Sequence, residues 1–173
     1  MTPYSLAFYL DVVTTGAVLG ARPEDSPGRV AELLGADFAE YSFDPHHMIR
    51  DYGLTEFYWD RARPELPWSG HHFSLQVHRL ARVDRNAADP ALRARYGRFA
   101  PRLRFDKLRR LLERRGVPLV EVPELPANTP YFRTFRQPRS QVSITVLAAH
   151  GEYRTPSDLR VGDVYKLHGS APS

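Results

Sequence analysis

The chain contains no cysteine, and that one absence excludes disulfides, thiol nucleophiles, thiolate metal sites and iron-sulfur clusters. A disulfide-stapled secreted domain is therefore ruled out. Lysine is almost missing as well. It occurs only at Lys107 and Lys166, against 22 arginines, which fits a GC-rich genome. There is no GxxxxGK[ST] and no GxGxxG after a strand, so a phosphate-binding loop is not expected. Long apolar runs are lacking too. The opening stretch "MTPYSLAFYLDVVTTGAVLGARP" has no basic residue before Arg22, and Asp11 interrupts its apolar run. Neither a signal peptide nor a membrane span fits, and a cytoplasmic protein is expected. No repeat of fixed period and no low-complexity segment is found.

What is present is a foldable composition. With 173 residues, 42% hydrophobic and 12% aromatic, the chain suits a single cored domain over 1–173,. Within it, a helix-hairpin unit over 1–80 and a basic helix followed by strands over 86–173 are the natural subdivisions. Charge is segregated. Residues 1–60 hold ten acidic and three basic side chains, residues 61–115 hold fifteen basic and five acidic, and the remainder is close to neutral. Such asymmetry bears on partners rather than on fold.

Residues 5–19 place Leu6, Leu10, Val13 and Ala17 at helical spacing, with the β-branched "VVTT" favouring a strand as the alternative. Ser26 as N-cap, Pro27 at the first position, Val30, Leu33 and Leu34 on one face and Gly35 as a stop predict a helix over 27–34. "MIRDYGLTEFYWDR" reads as one strand. A loop rich in proline and serine follows, then the strand "GHHFSLQVHRL", an antiparallel pair. From Asn86 to Arg115 the pattern is helical. Phe105, Leu108, Leu111 and Leu112 line one side before Gly116 and Pro118 end it. "VPLVEV", "YFRTF", "SQVSITVLA" and "DVYKL" then read as strands. The expected class is α+β, an antiparallel sheet with helices packed mainly on one face.

The stretch "VLGARPEDSPGRVAELLGADF" and the hairpin after it, residues 18–80, resemble the helix-helix-sheet unit of the beta-lactamase inhibitory protein and of outer-membrane assembly lipoproteins. That resemblance implies a binding scaffold rather than an active site. In style and architecture the chain also looks like a bacterial immunity protein, a partner that neutralises a toxin domain by occluding its site.

Four sets of residues carry candidate chemistry. Asp37, Glu40, Asp44, Asp51, Glu56 and Asp60, beside Tyr52, Tyr58 and Trp59, form an acidic, aromatic-rich surface suited to a basic protein partner such as a toxin domain. Arg95, Arg98, Arg102, Arg109, Arg110 and Arg114, within the basic region 79–115, are the alternative. Nucleic acid would be their ligand, with Tyr96, Phe99 and Phe105 able to stack on bases. His72, Ser74 and His78 alternate along one strand face, with Glu56 across the hairpin. This is the inventory of a hydrolase, but on a strand whose N–H groups are spent in the ladder. The doublets His46–His47 and His71–His72 are expected at opposite ends of the hairpin, roughly 20 to 25 Å apart, so no metal and no cofactor is expected. Acidic and basic regions could instead meet between protomers as a homo-oligomer.

Overall fold

In the computed structural model, which describes residues 4–82, 88–152 and 155–172, the chain passes twice through one order of elements: two helices, then a four-strand meander. The first pass is α1 (Tyr4–Thr15), α2 (Pro27–Leu34), β1 (Ala39–Asp44), β2 (His47–Asp51), β3 (Thr55–Asp60) and β4 (Ser69–Leu75). A 3-10 turn at Val77–Ala81 leads to α3 (Pro90–Tyr96), α4 (Phe105–Arg114), β5 (Val120–Val122), β6 (Phe132–Arg136), β7 (Val142–Leu147) and β8 (Val164–Ser170). The meanders join through β4 and β8 into one eight-stranded sheet of order β1-β2-β3-β4-β8-β7-β6-β5. All neighbouring strands are antiparallel. The α+β antiparallel class expected from the sequence is the one observed. The duplication lies in topology and leaves no periodic trace in the residues. Among the described residues no helix is long and apolar enough to cross a membrane.

Local chemistry explains most boundaries. Ser26 accepts the Arg29 backbone N–H at 3.2 Å and Pro27 follows it, which fixes the start of α2,. α1 ends at Thr15 rather than near residue 19, because Gly16 turns the chain at a φ of 70° against the Ser140 carbonyl,. The run expected as one strand over 48–61 is a hairpin. Gly53, at a φ of 109°, breaks it, and the Tyr52 N–H closes the turn on the Thr55 carbonyl at 2.8 Å,. The helical region from 86 on is two helices, with Gly97 at a φ of 72° ending α3. Arg85 and Asn86 fall outside the described residues. The strand expected over 70–80 stops at Leu75, so His78 lies in the 3-10 turn and not in the row with His72 and Ser74.

One hydrophobic cluster spans both passes. Phe57, Trp59, Phe73, Leu75, Ile144 and Leu167 line one sheet face and are 0% exposed; they share this core with Leu10, Val13, Leu108 and Leu112 of the helices. The other face stays partly open to solvent. Asp89, buried ahead of α3, accepts the backbone N–H groups of Leu54 at 3.0 Å and Thr55 at 3.4 Å, tying the second pass to the β2–β3 turn.

Candidate functional site on the open face of the sheet

Strand alternation sends Glu56 and Tyr58 from β3, His72 and Ser74 from β4, and Lys166 and His168 from β8 to the face opposite the core. The register sets Glu56 against Ser74, Tyr58 against His72, and Ser74 against His168. Side chains from three strands thereby meet at the sheet's centre, where the two meanders join.

Glu56 is the hub. Its carboxylate accepts the Tyr58 hydroxyl at 2.5 Å, the Gln76 amide at 2.6 Å, the Ser74 hydroxyl at 3.3 Å and the Arg79 guanidinium at 2.5 Å. Arg79 also reaches Asp51 at 3.0 Å and the Gly53 carbonyl at 2.8 Å. Burial pushes the Glu56 carboxyl up, but the bonds from Tyr58 and Gln76 and the Arg79 charge outweigh it and hold it below the usual carboxylate range,. The Tyr58 phenol is pushed up to about 12, first by burial and then by its bond to Glu56.

Above this hub lies a stack of rings. Tyr58 lies on His72 with centroids 4.0 Å apart and planes 18° from parallel, and His72 meets His168 at 4.7 Å,. The Nδ1 atoms of His71 and His72 approach to 2.5 Å. Burial, with the neighbouring His168 and His71, drives His72 down to about 3, and burial with Lys166 lowers His168. Both rings are therefore neutral at physiological pH. A second aromatic group adjoins, His78 on Tyr165 at 4.5 Å and Tyr165 against Phe132 at 5.0 Å.

The expected acidic surface is only partly assembled. Trp59, 0% exposed, donates its indole N–H to the Asp25 carbonyl at 2.8 Å, and Tyr52, 5% exposed, packs on Phe38; both are core residues and not surface anchors. The carboxylates are mostly matched within the chain. Glu40 binds Arg50 at 2.8 Å, Asp51 and Glu56 bind Arg79, and Asp44 binds His47 at 2.8 Å, whereas Asp37 is exposed and has no such pair among the described residues. Asp60 lies between His47 at 3.8 Å and His71 at 3.3 Å. The two histidine doublets thus share one end of the sheet, a correction that follows from the β2–β3 turn: it folds residue 47 back beside the start of β4. Among the described residues no group of three histidine, aspartate or glutamate side chains is placed to hold a metal ion.

The expected arginine stripe is also broken up. Arg102 pairs with the buried Asp163 at 3.5 Å and Arg109 with Glu113 at 2.9 Å, and Arg95 leans on the neighbouring Tyr96 ring. Arg98, Arg110 and Arg114 remain exposed. Tyr96, Phe99 and Phe105 are 8%, 9% and 8% exposed and serve the core, which leaves none of them free to stack on bases. Ser74 does meet Glu56, as the hairpin register predicts, but among the described residues no histidine nitrogen hydrogen-bonds to its hydroxyl.

Sequence reasoning missed Arg79, Lys166, Tyr165 and His168. Arg79 was within reach, because pairing residue 51 with the end of the next strand sets a carboxylate beside residues 79 and 80. The β8 residues were not, since nothing local announces that the last strand pairs with β4. No protein-family model, no curated protein and no solved structure matches the chain.

Proposed function

We propose that the chain is a non-catalytic protein-binding module that grips a partner with the open face of its sheet, as an immunity protein occludes the site of a toxin domain. The observation that carries this reading is the neutral Tyr58–His72–His168 stack seated on a saturated Glu56–Arg79 network. Ordered aromatic rings with a pinned arginine beneath them bury large area on binding at little further entropic cost, the usual composition of an interface centre. Toward the β1 edge the face runs into Tyr41 and Phe43, 49% and 81% exposed, among Asp37, Asp44 and Asp60, while Glu40 lies on the helix side with Arg50. An apolar, acid-flanked rim of this kind suits a basic partner. The hydrolase alternative is less well supported. Ser74 is spent on Glu56, and a His72 ring held at about 3 is a weak proton acceptor at neutral pH,.

The test is capture of a stoichiometric partner from lysate of the native host, followed by titration of the purified pair. Tyr58→Ala with His72→Ala is expected to weaken the complex at least tenfold, whereas the helix-side change Arg110→Gln leaves it intact. Replacing Asp37, Asp44 and Asp60 by asparagine is expected to slow association and flatten its salt dependence. A complex lost with Arg110→Gln and indifferent to Tyr58 and His72 would overturn the assignment of the face.

A further inference from the structure

We propose that the outer face of α4 binds a phosphate-bearing anion, in the 220 Å³ concavity lined by Lys107, Arg110, Leu111 and Arg114. Positions i, i+3, i+4 and i+7 of a helix share one side, so these three cations are set in a row by the helix alone. Leu108 and Leu112, both 0% exposed, fasten the opposite side of α4 into the core, and the half-buried Leu111 forms the floor between the charges. The row is about 10 Å long at 1.5 Å per residue.

Among the described residues these three cations are left without an ion pair, while several of the arginines around them are matched. Around them Arg102 and Arg104 pair with Asp163, Arg109 with Glu113, and Arg133 with Glu121. Among the described residues neither Lys107 nor Arg114 has a carboxylate partner, and Arg110 reaches only the Asp106 carbonyl, at 3.3 Å. Like charges three and four residues apart destabilise a helix, and Lys107 adds to this by sitting in the first turn, at the positive end of the dipole. A multivalent oxyanion seated among the three relieves the repulsion and matches the fork geometry of two guanidinium groups. Among the described residues no aromatic side chain lines the concavity, so the chemistry recognised is the phosphate and not a base. The site lies on the helix-bearing side, opposite the face proposed for the protein partner, and does not depend on that proposal.

Two sources present this chemistry, a free phosphate compound and the phosphodiester backbone of a nucleic acid. The probes are inorganic pyrophosphate, followed by calorimetry, and a fluorescent single-stranded DNA oligonucleotide, followed by anisotropy at low salt. The full chain and a control lacking three exposed arginines elsewhere, Arg29→Gln, Arg63→Gln and Arg98→Gln, are expected to bind. The Lys107→Gln, Arg110→Gln, Arg114→Gln variant is expected to lose at least tenfold while its thermal midpoint holds or rises. Pyrophosphate binding identifies a free phosphate compound as the ligand; oligonucleotide binding alone, lost in the same variant, identifies the phosphodiester backbone. Equal loss in the control variant, unchanged binding in the α4 variant, or no binding of either probe by the full chain would overturn the proposal.

Discussion

Glu56 and Asp89 are both buried carboxylates, and the difference between them is one of partners. Glu56 has four donors and stays ionised. Asp89 is 0% exposed and its Oδ1 accepts two backbone N–H groups, but its Oδ2 has no hydrogen-bond partner among the described residues. Burial therefore pushes the Asp89 carboxyl up from 3.8 to about 7,. The folded state then binds more protons than the unfolded chain between those two values, so stability falls as pH rises from about 4 to about 7 and is level beyond. This one group is expected to remove on the order of 4 kcal/mol over that window. Asp89→Asn keeps the Oδ1 acceptor and cannot ionise. Urea unfolding at pH 5 and pH 8 is expected to show wild type losing stability between the two and the variant losing about 2 to 3 kcal/mol less. Equal losses in both proteins would show that Asp89 is ionised throughout.

At the scale of elements, the joint between β4 and β8 is tightly constrained. Gly169 lies opposite Phe73, and a Cβ on Gly169 would run into the Phe73 ring. Gly169→Ala is expected to cost about 1 to 3 kcal/mol through forced repacking, with Ser170→Ala nearly neutral, as read from urea midpoints. The contrast between elements also shows where the sequence was legible. α2 and α4 could be read because their evidence is local, a Ser-Pro start in one and an apolar stripe through Phe105, Leu108 and Leu112 in the other. β7 was legible because Val142, Ile144 and Val146 alternate with polar residues. The β2–β3 turn was not, since Asp51 and Gly53 are weak markers and β-forming residues flank them on both sides,. That single omission misplaced His47 by the length of a strand. β1 was missed for another reason. All six of its residues are exposed, so it carries no buried alternation to read.

Across the whole molecule, the acidic and basic thirds of the sequence are partly reconciled in space, as Arg79 clamps Asp51 and Glu56. The two passes are braced at several points besides β4 and β8. The Tyr96 hydroxyl meets Asp11 at 3.0 Å, the Ser140 hydroxyl donates to the Val13 carbonyl at 2.6 Å, and α1 packs against α3, α4 and β7. Unfolding is accordingly expected to be one cooperative transition, with tryptophan fluorescence and far-ultraviolet circular dichroism superimposing in urea. Residues 1–82 made alone are expected to lack a stable fold; a cooperative transition in that fragment would show that the first pass is self-sufficient. The strand order has a further consequence during synthesis. β4 is complete at Leu75, but the strand that covers its free edge begins only at Val164. While residues 76–163 are being made, the middle of the finished sheet is therefore an open edge on the nascent chain, so chaperone engagement and nascent-chain aggregation should centre on β4 and end when β8 leaves the ribosome,.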